Sequence, residues 1–92
     1  MDIEALRARI DEIDERLVAL LSERAACALA IGKLKEVAGV PIYQPTREAE
    51  VLRHVRTVNI GPLDDDAIGR LFERVIDEAR WLERQAAKRN ER

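Results

Sequence analysis

Apolar residues at Ile3, Leu6, Ile10, Ile13, Leu17, Leu20, Cys27, Ile31 and Leu34 recur in alternating steps of three and four, with one break at position 24. This is the heptad seam of a helix that packs on other helices. No proline interrupts it, Gly32 is its only internal glycine, and Ala38-Gly39-Val40-Pro41 supplies a glycine-then-proline stop. The spacing predicts a helix from about residue 3 to about residue 37, roughly 50 Å long at about 1.5 Å per residue. The rest of the chain is too short to cover a rod of that length. Charged residues make up 37% of the chain, and only Tyr43, Phe72 and Trp81 are aromatic. Such a mix suits long helices with narrow apolar stripes better than a thick core. The 92 residues form one domain, 1–92, near the lower size at which a single core suffices. A partner is expected to complete its burial.

Residues 39–45 read as a loop. Pro45 suits a first helical position, and Glu48 and Glu50 suit the turn that follows. A second helix is expected over about 45–58, with Val51, Leu52, Val55 and Val58 as its buried stripe, ended by Asn59-Ile60-Gly61-Pro62. Asp64 or a neighbouring aspartate caps a third helix over about 65–86, whose stripe is Ile68, Leu71, Phe72, Val75, Ile76, Ala79 and Leu82. From Gln85 onward the periodicity fades and the tail is expected to fray. The fold class is therefore all-α, a three-helix protomer with a very long first helix.

Several function classes are disfavoured. A net charge of -2 suggests neither a nucleic-acid partner nor an anionic membrane, so any anion site must come from local clustering of cations. Cys27 has no second cysteine to pair with, and with His54 it cannot build a typical zinc site. There is no glycine-rich phosphate loop and no nucleophile–base pair, so neither metal nor cofactor is expected. Met1-Asp2-Ile3-Glu4 opens without a basic region, and no apolar run is long enough for a signal or a span. A cytoplasmic protein is the expectation.

The informative residues are charges where the periodicity demands a hydrophobe. Arg24 takes the seam position between Leu20 and Cys27. A buried guanidinium without a partner costs several kcal/mol. It either pairs with a carboxylate across the seam to fix register or binds an anion. Lys35 lies eleven residues further, almost three turns, and so on nearly the same face. Two long cations so placed can bracket a small anion, although a last-turn lysine is also favoured by the helix dipole. Arg47 and Glu48, four residues before Val51 and Leu52, either extend the second stripe inward or form an exposed first turn. Glu83 follows Ala79 by four and Ile76 by seven. Buried there, its pKa would rise and its protonated form would donate a hydrogen bond; otherwise it is a stripe-edge glutamate reaching water. Arg7 precedes Arg24 by seventeen residues, about 25 Å of helix, and can share a small site with it only across an antiparallel or interlocked dimer.

The segments Leu6-Arg7 with Ile10, Ile13-Asp14, Leu20-Leu21-Ser22-Glu23-Arg24 and Ile31-Gly32-Lys33-Leu34-Lys35 resemble the all-helical (AroQ-class) chorismate mutases. Pro45-Thr46-Arg47-Glu48 and Ile68-Gly69-Arg70-Leu71-Phe72 continue the likeness, which runs from about Leu6 to about Gln85. The resemblance implies an intertwined homodimer with two sites, each receiving Arg7 from the other subunit. It implies that Arg7 and Arg24 hold the two carboxylates of chorismate and that Lys35 faces the ether oxygen with Glu83 opposite. Glu48 would hold the ring hydroxyl, and Arg47 would add positive field at the wall. Two positions depart from the bacterial pattern: Gln44 stands where many members place an aspartate, and Ala79 where a serine or threonine often supports a carboxylate. The implied reaction, chorismate to prephenate on the way to phenylalanine and tyrosine, is a unimolecular pericyclic rearrangement that needs no nucleophile, metal or redox cofactor. The nearest rival is an isochorismate-pyruvate lyase of the same fold, a group the resemblance associates with glutamine at the position of Glu83. A non-catalytic helical dimerisation or regulatory module is the other. It would have little reason to keep Arg7, Arg24, Lys35, Arg47 and Glu48 together.

Overall fold

The computed structural model describes residues 2–90, which form three helices: α1 (Ile3–Ala38), α2 (Pro45–Val58) and α3 (Asp65–Asn90). None of the helices is long and apolar enough to cross a membrane. Asp2 starts α1 from an extended conformation, its carboxylate accepting a hydrogen bond from the Ala5 N–H at 2.8 Å. Gly39 ends it with φ at 70°, a left-handed conformation that favours glycine. The Gly39 N–H donates to the Glu36 carbonyl at 3.2 Å and the Val40 N–H to that of Lys35 at 2.8 Å. Together they satisfy two carbonyls the helix would leave open, and they turn the chain back toward Lys35.

Pro45 opens α2, but Gln44 does not cap it with its side chain. The Gln44 amide instead donates to the Pro41 carbonyl at 2.9 Å and braces the loop before the helix. Asn59 organises the second connection, donating to the Leu63 carbonyl at 2.7 Å and to Asp65 Oδ1 at 2.9 Å while accepting from the Gly61 N–H at 3.1 Å. Asp64 caps α3, accepting from the Ala67 N–H at 2.7 Å.

α3 departs from the sequence expectation at its far end. It remains helical through Gln85 and on to Asn90, where fraying was expected beyond about 86. Ala86 and Ala87 are half-buried and line a groove with Leu29, Ala30 and Gly32 of α1. Alanine carries little hydropathy signal, yet it is the best helix former and lets helices approach closely. Lys88 and Arg89 in the last turn also suit the helix dipole. Glu91 and Arg92, the end of the expected tail, lie outside the described residues.

α1 and α2 both pack on α3. At Gly69, buried on α3, a Cβ would stand 2.5 Å from the Arg56 guanidinium, so a larger residue there would have to displace the end of that side chain of α2. The protomer measures 54 × 27 × 14 Å, close to one helix thick in its shortest direction. Among the described residues Ile76 is the only buried hydrophobe, at 8% exposure. Ile3, Leu6, Ile10, Ile13, Leu17 and Leu20 all stand open to solvent. The seam is therefore present along α1, but its first half faces nothing within this chain.

Candidate active site

The second half of α1, the 39–44 loop, the first turn of α2 and the second half of α3 enclose a cavity of about 570 Å³. Arg24 and Lys35 reach it from α1, Gln44 from the loop, Arg47 and Glu48 from α2, and Ala79 and Glu83 from α3. Arg7 does not. It sits about one turn into α1, exposed and 3.4 Å from Glu4, far from the cavity of its own chain.

Lys35 and Glu83 form the buried centre, their side chains 20% and 10% exposed. The Lys35 ammonium donates to the Ile42 carbonyl at 3.1 Å, so the loop after α1 holds it in place. Its Nζ lies 3.9 Å from Glu83 Oε2, near enough for attraction but too far for a hydrogen bond. Glu83 Oε2 is buried with no hydrogen-bond partner. Burial pushes the Glu83 carboxyl above its ordinary range; Lys35 and then Arg80 pull it back, and Glu48 adds a smaller push upward. Desolvation outweighs the two cations, so the carboxyl holds its proton to higher pH than an exposed glutamate does.

Gly32 makes this placement possible. A Cβ there would lie 3.2 Å from Glu83 Cγ and 3.3 Å from Oε2, tighter than ordinary packing. Glycine inside a helix costs about 1 kcal/mol relative to alanine. Here the missing side chain lets the carboxyl lie against the bare backbone of α1.

Arg24 borders the cavity and also a neighbouring groove beside Trp81, and it belongs to none of the ion pairs among the described residues. The register-setting pair considered from sequence is thus not made within the protomer. Arg47 and Glu48 part company. Glu48 turns inward, whereas Arg47 is 71% exposed at the cavity rim and pairs with Glu50 at 3.3 Å. A pair so open to water contributes little. His54 is exposed, Cys27 is an exposed residue at the cavity edge, and no metal-binding group of side chains occurs among the described residues.

One residue escaped the sequence reading. Arg80 grips Glu48 with three hydrogen bonds of 2.6, 2.8 and 3.2 Å, and its guanidinium lies 4.9 Å from the centre of the Tyr43 ring. The signal was the one that exposed Glu83: Arg80 follows Ile76 by four residues, a charge where the stripe continues.

Comparison with known proteins gives this geometry a family. Residues 6–84 match the model of "Chorismate mutase type II". A bifunctional chorismate mutase/prephenate dehydratase from Pseudomonas aeruginosa is 42% identical over 86 residues, covering 88% of this chain but 24% of that protein. The chain thus spans about a quarter of the length of such relatives. A chorismate mutase from Methanocaldococcus jannaschii is 31% identical over 81 residues, covering 87% of this chain and 82% of that one. The crystal structure of chorismate mutase from Helicobacter pylori in complex with prephenate superposes with a TM-score of 0.86 at 32% identity, covering 94% and 93% of the two chains. The chain belongs to the chorismate mutase type II family.

Proposed function

We propose that the cavity binds chorismate and rearranges it to prephenate in the cytoplasm, and that two copies of the chain intertwine to complete each site. The observation that carries this reading is the buried Lys35–Glu83 pair sharing one cavity with Arg24. The uncovered seam of α1 supports the dimer: a rod with Ile3, Leu6, Ile10 and Ile13 in water gains most by lying against a second copy. In that arrangement the partner subunit's Arg7 enters the cavity beside Arg24.

The reaction breaks a C–O bond and forms a C–C bond within one molecule. The protein's tasks are to hold the reactive diaxial shape and to stabilise negative charge growing on the ether oxygen. Arg24 and the partner subunit's Arg7, each gripping a carboxylate, serve the first task by fixing both ends of the substrate. Lys35 serves the second with a fixed charge and Glu83 with a donated hydrogen bond. Glu48 accepts from the ring hydroxyl, Arg47 adds positive field at the rim, and Gln44 and Ala79 border the substrate without ionic contact.

The role given to Glu83 has a pH signature. Its value is raised, so the acid form persists above the usual carboxylate range; above the raised value the ionised form repels the ether oxygen. Activity is expected to fall as pH rises through that point. Glu83→Gln, which keeps a donor but cannot titrate, is expected to flatten the profile. A flat parent profile together with an inactive Glu83→Gln protein would rule out the acid role.

The test of the function is loss of chorismate absorbance on adding the purified protein, with isochorismate as the parallel substrate. Chorismate consumption supports the mutase. Consumption of isochorismate alone points to the lyase reaction, and inertness to both points to a binding module.

A further inference from the structure

Two carboxylates face one cavity, and their surroundings differ. Glu83 is buried with an oxygen that no donor reaches, while Glu48 is held by Arg80. We infer that Arg80 is a positioning residue of this site, fixing Glu48 as the ionised acceptor for the substrate's ring hydroxyl. The inference rests on the proposed mutase reading and extends it to a residue outside the set named there.

The geometry is that of a forked grip. Arg80 Nη2 donates to Glu48 Oε1 at 2.6 Å and to Oε2 at 2.8 Å, and Nε donates to Oε2 at 3.2 Å. Both side chains are one-quarter exposed, too sheltered for the pair to be a mere surface contact. The Tyr43 ring, 4.9 Å from the guanidinium carbon, braces the arginine from the loop, and Asp77 adds a weaker pair at 3.6 Å. The grip joins α2 to α3 across 32 residues of chain. An ionised carboxylate offers about four lone-pair sites. Arg80 occupies three, leaving Glu48 able to accept one further hydrogen bond and unable to donate any. Gln44 cannot share that task as a charge, and its amide is tied to the Pro41 carbonyl.

Arg80 also keeps the two acids distinct. Glu48 has a cation at hydrogen-bond distance, whereas Glu83 Oε2 is buried with no donor. The other charged groups facing Glu83 are Lys35 and Arg24 from α1 and Arg47 from the rim of α2. Behind it, Lys33, Glu36 and Arg89 border the groove on the far side of α1 and α3. Arg80 is among the cations that pull Glu83 down, so its removal lets Glu83 hold its proton to higher pH.

The test is steady-state kinetics on chorismate, across pH, for Arg80→Met, Arg80→Lys, Glu48→Gln and the Arg80→Met/Glu48→Gln double variant, with folding checked by circular dichroism. Arg80→Met is expected to raise KM by about tenfold, as for a lost charged hydrogen bond, and to move the alkaline fall in activity to higher pH. Arg80→Lys keeps the charge without the fork, so KM rises while the alkaline fall stays near the parent's. On the Glu48→Gln background, Arg80→Met is expected to change KM by less than about twofold, because the arginine acts through Glu48. A parental KM in Arg80→Met, an alkaline fall that does not move, or an equal loss with and without Glu48 would overturn the inference while leaving the mutase reading intact. A parent protein that does not consume chorismate would overturn both.

Discussion

Lys35→Met is expected to lower kcat by about 10²–10³-fold while KM rises far less, the range seen when one preorganised electrostatic donor is removed from an active site. Methionine keeps the length and apolar stem of lysine, so it replaces the packing and deletes the charge. The change also removes the first of the cations that pull the Glu83 carboxyl downward, so Glu83 is protonated more readily in the variant. The loss therefore cannot be assigned to an ionised Glu83. The hydrogen bond to the Ile42 carbonyl is lost as well, a contribution of about 1 kcal/mol that should appear as a modest fall in melting temperature. Kinetics at saturating chorismate separate the two effects. A variant that keeps kcat and only raises KM would make Lys35 a uniform binder of substrate, with no special hold on the transition state.

The second large effect is a recovery. Arg24→Ala and Arg7→Ala are each expected to lose most activity, since each leaves one substrate carboxylate without its charged partner. Refolded together, they form a hybrid dimer in which one site has lost both arginines and the other keeps both. Random pairing puts half the dimers in the hybrid form with one good site each, so activity should return to about a quarter of the parent's. The position of Arg7 motivates this: it is about one turn into α1, exposed, and outside the cavity that holds Arg24. Differently tagged chains, separated and counted by mass spectrometry, establish that hybrids formed. Hybrids without activity would contradict a site shared between subunits.

How well the sequence announced each feature depended on whether its signal was periodic. Three helices could be read because apolar spacing, Pro45 and Gly39 are local marks that need no knowledge of the rest of the chain. The inward charges at Arg24, Lys35, Glu48 and Glu83 were visible by the same rule, as breaks in a stripe, and they do line one cavity. Arg47 obeyed the rule equally well but lies at the rim, where it pairs with Glu50, whereas its first-turn neighbour Glu48 is drawn inward by Arg80. The end of α3 was misjudged because Ala86 and Ala87 fall below the contrast that periodicity needs, although both are half-buried beside α1. Arg80 was missed for a different reason. Its stripe position was legible, but its meaning lies in Glu48, 32 residues away on another helix, and no local pattern announces such a pair. The same holds for Gly32, whose use is defined by the Glu83 carboxyl that packs against it.

If this chain turns chorismate into prephenate by fixing its shape and stabilising its ether oxygen, one experiment shows both the product and the role of Lys35. The most direct measurement follows purified protein and chorismate by proton NMR, with Lys35→Met as the control. Prephenate is expected in one-to-one replacement of chorismate, with no free pyruvate and a rate that collapses in Lys35→Met. Chorismate that persists at its uncatalysed rate, or an equal prephenate rate in parent and Lys35→Met, would contradict it.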